Sequence, residues 1–315
     1  MRDWNKISAR KFSEIHARER AIGLVDKDTF TEFLGPRKKF SSPHLPLLGV
    51  AVEFDDGLVS GMGLIDKHPV FVNSMEGKFI GGSIGEVGGA KLVMSLRLAL
   101  ETYNMIPEEE LESRRPLVVI SFETGGVRLH EANAGLLAHA EVIDAIQDLR
   151  HKVPVIAVIG SKVGCFGGMG FVAAATDVVV MSDVGRLGLT GPEVIEQEVG
   201  KEEFDASDKS LVYRTTGGKH KYIVRDCNYL VPDKTAAFRD IINQLSRCSM
   251  EDIEKMRRIG SMYLVNKQLA FINEVLERDI RDSRDLWRAY GNSDIDALID
   301  SDVEEFLTLV QRRPL

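Results

Sequence analysis

Two glycine clusters sit 42 residues apart, each between a strand-like run and the start of a helix (Gly125 to Gly167). The first, Gly125-Gly126-Val127-Arg128, follows Leu117-Val118-Val119-Ile120-Ser121-Phe122. The second, Gly167-Gly168-Met169-Gly170, follows Val155-Ile156-Ala157-Val158-Ile159-Gly160. Continuous apolar runs belong to strands covered on both faces. Strand–helix–strand order then implies a parallel sheet with crossover helices. The same turns carry chemistry. Glycine has no Cβ to hold a substrate oxygen off the backbone, and a helix N-terminus presents unpaired N–H groups with partial positive charge. Two such turns converging on one carbonyl would stabilise an oxyanion. Each alone reads as a packing turn of an α/β sheet.

Residues 8–24 read as a charged helix, Thr29–Leu34 as a short apolar turn, and Leu48–Phe54 and Leu58–Ile65 as strands flanking an Asp55-Asp56-Gly57 hairpin turn. Pro69–Met75 is the next expected strand. Ser83-Ile84-Gly85-Glu86 has the spacing of a capping box, opening a mostly apolar, buried helix that runs to Tyr103. Strand 117–122, helix 128–150, strand 153–159, a helix from 168 and strand 177–181 follow. Strands 117–122 and 153–159 are expected to be parallel neighbours. Leu136, Ala140 and Ile143 share one face of the second helix. A helix over 232–246 leads into a nearly all-helical segment, Met250–Arg312, with a soft boundary at Ser246–Met250.

A chain of 315 residues, 44% hydrophobic and 28% charged, is long enough for a large soluble core, as one big domain or two small ones. A net charge of −8 argues against nonspecific binding to nucleic acid or an anionic membrane. The start, Met1-Arg2-Asp3-Trp4-Asn5-Lys6, lacks the apolar core of a signal peptide. The long apolar stretch Val153–Met181 is broken by Lys162, Asp177 and glycines, so no membrane insertion is expected. Cys165, Cys227 and Cys248 form no Cys-x-x-Cys pair and fit a reducing, cytoplasmic compartment. The histidines show no His-Glu-x-x-His spacing, and no metal site is expected.

Other candidates read two ways. Gly81-x-Ser83-x-Gly85 matches the nucleophile elbow of a serine hydrolase, with Asp208 and His220 as the available acid and base. Ser83 as a helix cap explains the same residue. Cys165 reads as a thiol nucleophile or a small buried side chain. His130 and Glu131 read as proton carriers or a solvated first helical turn. Arg128 reads as an anion ligand or a bridge to a neighbouring carboxylate.

In sequence order, Gly81-Gly82-Ser83-Ile84-Gly85, Glu123-Thr124-Gly125-Gly126-Val127-Arg128-Leu129-His130-Glu131, Gly164-Cys165-Phe166-Gly167-Gly168-Met169 and Gly188-Leu189-Thr190-Gly191-Pro192-Glu193-Val194-Ile195-Glu196-Gln197-Glu198 resemble the carboxyltransferase branch of the crotonase superfamily. Acetyl-CoA carboxylase β subunits carry similar Gly-Gly-x-Arg-x-x-Glu and Gly-Pro-x-Val-Ile-Glu-Gln segments. Phe33-Leu34-Gly35-Pro36, Ser42-Pro43-His44-Leu45-Pro46 and the Gly188–Glu198 block look more like malonate decarboxylase β subunits. The likeness covers about residues 10–245. Two departures from the carboxylases point the same way: no four-Cys zinc ribbon, and Glu193 where they tend to have Arg.

The resemblance implies an α/β, crotonase-like core of stacked β-β-α units over residues 1–246 with a helical extension over 247–315. It implies decarboxylation of a malonyl thioester, held on the phosphopantetheine-type arm of an acyl carrier protein, to an acetyl thioester through an enolate. The alternative is a carboxyltransferase subunit passing CO₂ to biotin, which would sit on another chain, in a biotin-dependent malonate decarboxylase or acyl-CoA carboxylase. A third reading is a noncatalytic docking subunit. Carried over by position, Gly126 and Gly168 would be the oxyanion donors and Gly125 and Gly167 would shape their turns. Gly82, Ser83, Gly85 and Arg128 would line the substrate side. The chain itself is expected to bind no cofactor. Its expected partners are a homologous crotonase-like γ subunit, the acyl carrier protein and an acyl-carrier transferase subunit.

Overall fold

The computed structural model describes residues 10–35, 38, 40, 42, 43, 57–257 and 261–313. Seven strands form one sheet in chain order: β1 (Thr31–Glu32), β2 (Leu58–Ile65), β3 (His68–Met75), β4 (Leu117–Phe122), β5 (Val155–Ile159), β6 (Val178–Ser182) and β7 (Tyr229–Val231). The pairings β3–β4 through β6–β7 are parallel; β1–β2 and β2–β3 are antiparallel. Strands 117–122 and 155–159 are thus parallel neighbours, with Ile120 opposite Ala157. Every residue of β4, β5 and β6 is buried, as continuous apolar runs require when helices cover both faces.

The helices are α1 (Ala17–Gly23), α2 (Glu86–Met105), α3 (Leu111–Arg114), α4 (Asn133–Asp148), α5 (Gly168–Ala175), α6 (Pro192–Val199), α7 (Lys209–Thr216), α8 (Gly218–Ile223), α9 (Thr235–Ser246), α10 (Met250–Arg257), α11 (Ser261–Glu277), α12 (Ser283–Ala289), α13 (Ile295–Asp300) and α14 (Val303–Leu309). On one face of the sheet, α2, α4 and α5 contribute Leu92, Leu96, Val142, Ile146 and Met169 to a core with Val118, Ile120 and Phe122. On the other, Phe12, Ala21, Phe238 and Ile242 pack on Val70, Val119 and Val158. The Phe12 and Phe238 ring centroids lie 4.4 Å apart there, the rings tilted by 41°. A third cluster joins Ile223, Val224 and Leu230 to Leu286, Trp287, Leu298 and Phe306.

Several local expectations change. The strand 48–54 and the Asp55-Asp56 turn lie outside the described residues. The hairpin in view joins β2 to β3 at Asp66, which takes the left-handed conformation (φ 57°) that Asp tolerates. Thr31–Glu32, read as part of a turn, is an edge strand on Gly61–Met62. Within the described part of the expected 8–24 helix, the α-helix begins at Ala17, because His16 is extended and caps it reciprocally with Glu19. The segment 128–150 becomes helical only at Asn133, after a 3₁₀ turn over Leu129–Glu131. Ser83 does not cap α2. Gly85 holds the cap position without a side-chain bond, and Ser83 Oγ donates to Ile80 O (2.8 Å).

Candidate active site

The glycine turns follow β4 and β5 and stack on one another beyond the strand ends. Gly125 N–H donates to Gly81 O (3.0 Å), Thr124 N–H to Gly164 O (2.8 Å) and Phe166 N–H to Thr124 O (3.1 Å). Cys165 N–H donates to Arg186 O (2.8 Å) and Gly167 N–H to Leu189 O (2.8 Å). Successive parallel bridges, Ile84 with Val127, Thr124 with Cys165 and Cys165 with Leu187, extend the ladder across four chain segments. Sequence segments far apart therefore meet as neighbouring rungs.

The central contact demands glycine. Gly126 (φ +112°) and Gly167 (φ +61°) occupy backbone regions L side chains avoid. A Cβ on Gly126 would lie 2.9 Å from Gly167 Cα and from Phe166 O. The Gly125–Gly126 and Gly167–Gly168 pairs are thus in direct backbone contact.

Their N–H groups differ. Gly168 is the first residue of α5, and among the described residues no acceptor meets its N–H or that of Met169. Both therefore point partial positive charge out of a helix N-terminus. The Gly126 N–H is held by Thr124 Oγ1 (3.0 Å). The Gly125 and Gly167 N–H groups are bound within the ladder.

A buried ion pair braces the neighbouring turn. The Arg128 and Glu131 side chains are 0% exposed, with Nη1 to Oε1 at 3.1 Å. Arg128 Nη2 also donates to Ser83 O (2.7 Å), Arg128 Nε to Ser83 Oγ (3.4 Å), and its guanidinium lies 5.4 Å from the Phe79 ring centroid. Glu131 Oε2 accepts from Glu86 N–H (2.6 Å), and a Cβ on Gly85 would sit 2.1 Å from that oxygen. Arg128 is thus the bridge to a neighbouring carboxylate. Glu131 is no solvated first-turn residue; its spacing to Arg128 was visible, its burial was not. A second buried pair, Arg20 with Glu123, ties α1 to the end of β4, where Glu123 Oε2 also accepts from Gly77 N–H (3.2 Å). Nothing local in either segment announces this pair.

The nucleophile readings do not assemble. Asp208 caps α7 through Ser210 and Leu211, and His220 Nδ1 accepts from Trp287 Nε1 (3.2 Å). Ser83 Oγ is bonded to Ile80 O. The Cys165 thiol is fully buried, bonds Met169 O (3.3 Å), and burial pushes its pKa up, away from a thiolate. His130 is exposed. Among the described residues no group of three or more His, Cys, Asp or Glu is arranged to hold a metal ion, and no helix is long and apolar enough to cross a membrane.

His139, on α4, escaped the sequence reading. Its ring packs on Gly168: a Cβ there would lie 2.8 Å from His139 Cδ2 and from Val127 Cγ2. His139 Nδ1 donates to Gly135 O (2.7 Å), leaving the lone pair on the buried, unpartnered Nε2. Burial lowers its pKa, which favours the neutral ring.

The rim of the turns is apolar and open. Leu129 is 78% exposed, and Leu136, Leu137, Phe171 and Leu189 are all more than half exposed. The Leu136–Ala140 face of α4 points outward; Gly135, Ala138, His139 and Val142 form its buried side. A cavity of about 1000 Å³ lies instead at the starts of β6 and β7, where Arg150 and Arg257 flank Asp177.

The Carboxyl transferase domain model matches residues 11–252. The chain belongs to this family. It is 58% identical to the malonyl-S-ACP:biotin-protein carboxyltransferase of Malonomonas rubra over 99% of both chains. It is 31% identical to the propionyl-CoA carboxylase beta chain of Saccharopolyspora erythraea, over 67% of this chain and 36% of that one. A chain of the Pseudomonas malonate decarboxylase hetero-tetramer, solved with malonate, superposes with a TM-score of 0.70 at 35% identity, covering 82% of this chain and 94% of that one. The architecture is the crotonase-like α/β fold of these carboxyltransferases, with a helical C-terminal region.

Proposed function

We propose that this carboxyltransferase-family chain removes the carboxyl group of a malonyl thioester on an acyl carrier protein and delivers it to biotin on a second carrier. The observation that carries the reading is the end-to-end 58% identity with the Malonomonas rubra enzyme. This reverses the order reached from motifs alone, which placed direct decarboxylation first. Direct decarboxylation stays as the second reading, supported by the fold likeness to the Pseudomonas decarboxylase.

Both reactions break the bond between the carboxylate and the α-carbon and drive an electron pair onto the thioester oxygen. In this proposal, the Gly168 N–H, with Met169 N–H and the helix end behind it, faces that oxygen and offsets its charge. Gly126 is the second donor and exchanges its Thr124 bond for the substrate. Gly125 and Gly167 fix the turns, while Arg128 and Glu131 hold the Gly82–Gly85 segment against them. Biotin, as acceptor substrate, supplies the ureido nitrogen that takes the carboxyl and releases its proton to the α-carbon. In direct decarboxylation the α-carbon takes its proton from water or a second subunit.

The open apolar rim is the surface on which a homologous crotonase-like subunit sits and closes the site against water. The acyl carrier protein and its acyl transferase subunit complete the assembly. The test is acetyl-carrier formation from malonyl carrier protein by this chain with its paired subunit, with and without biotinylated carrier. Acetyl thioester only when biotin is present, with the carboxyl retained on the biotin protein, is the expected result. Biotin-independent CO₂ release would establish the second reading, and no acetyl thioester under either condition would overturn both.

A further inference from the structure

Helix α11 leaves an apolar stripe facing water. Its inward side mixes Phe271, packed on the third core cluster, and the half-buried Val275 with charge: Lys267 Nζ donates to Arg225 O (3.4 Å) and lies 3.9 Å from Asp226, while Glu274 Oε2 accepts from Tyr290 Oη (3.2 Å) and pairs with Arg313 Nε (3.6 Å). The Arg313 guanidinium lies 5.0 Å from the Phe271 ring centroid. Its outward side carries Val265, Leu269, Ile272 and Leu276, exposed by 50, 53, 51 and 73%. A surface helix of a monomer keeps its apolar residues in one inward stripe and does not present a second one to water.

The spacing of the stripe, four, three and four residues, is that of a two-helix seam, where apolar side chains recur every 3.5 residues. Its edges are exposed amides, Asn266, Gln268 and Asn273, with no charge until Glu277. We infer that α11 pairs with α11 of a second copy of this chain, antiparallel across a two-fold axis. That arrangement sets Leu269 against Ile272 of the second copy, Val265 against Leu276, and Asn266 against Asn273. Amides donate and accept alike, so identical edges meet without like-charge repulsion; a partner selected by charge would find nothing to read. A two-fold contact uses one patch twice, which a self-complementary stripe satisfies. The stripe lies outside residues 11–252 matched by the carboxyl transferase family, and the inference stands apart from the carboxyl-transfer reading.

The test is sedimentation velocity of the full-length chain over a wide concentration range, alone and with its paired subunit, for the parent, Leu269→Glu and Ile272→Glu. Both positions are exposed, so circular dichroism melts should match the parent. The expected result is concentration-dependent doubling of the parent and a single copy for each variant, with the paired subunit retained by all three. A parent that stays single at the highest concentration would overturn the proposal. So would variants that double as the parent does, or loss of the paired subunit on Leu269→Glu.

Discussion

Gly168 occupies the first position of α5, where the fixed φ of proline suits a helix. Alanine and proline there both crowd His139 and Val127, but only proline removes the N–H. The comparison therefore isolates the donor. Single-turnover acetyl formation is expected to be about 10²–10³ slower for Gly168→Pro than for Gly168→Ala. Equal rates would take the Gly168 N–H out of the mechanism. The Arg128–Glu131 pair gives a second residue-level prediction. Glu131→Gln keeps the shape but removes the carboxylate that pairs with the Arg128 guanidinium at 0% exposure. Breaking one side of such a pair costs about 3–5 kcal/mol, read as a lower urea midpoint at unchanged m-value. A loss under about 1 kcal/mol would show that Arg128 finds other partners.

At the scale of elements, α8 and α12 meet through His220 and Trp287. Burial, and then the neighbouring Lys221, lower the His220 pKa to about 3 from 6.5. Above 6.5 neither state binds the proton and the contribution is complete. As pH falls from 6.5 toward 3, the unfolded chain takes up a proton that the folded one refuses, so stability falls with pH across that window. Urea unfolding followed by tryptophan fluorescence should show this slope in the parent, stepping down to about pH 4, and a flatter one in His220→Gln. A slope unchanged by the substitution would move the acid sensitivity elsewhere.

At the scale of the molecule, the sheet places the glycine turns at one end of β4 and β5 and leaves their apolar rim uncovered. Leu137→Glu puts charge on that rim without touching the core. It is expected to weaken co-purification with the homologous subunit and cut acetyl formation, with the melting temperature kept. Full retention of the subunit would place the interface on another face.

The amino-acid sequence by itself determined the elements that repeat locally. Apolar runs at 117–122, 153–159 and 177–181 specify strands buried on both faces. Glycine at 126 and 167 specifies turns that no side chain fits, and the order of four glycine-rich segments pointed to the family. What the tertiary structure alone decided are contacts between segments that share no local pattern. Glu131 is buried because Arg128 and the Glu86 N–H converge on it, though it stands in a stretch that reads as a polar turn. The Gly126 N–H turns to Thr124, and His139 lands on Gly168 because α4 and α5 cross there. Helix α11 leaves an apolar stripe facing water because Lys267, Phe271 and Glu274 on its other side find their partners in the rest of the chain. Periodicity reports which residues of one element share a face. Which face is covered depends on what the rest of the chain delivers to it.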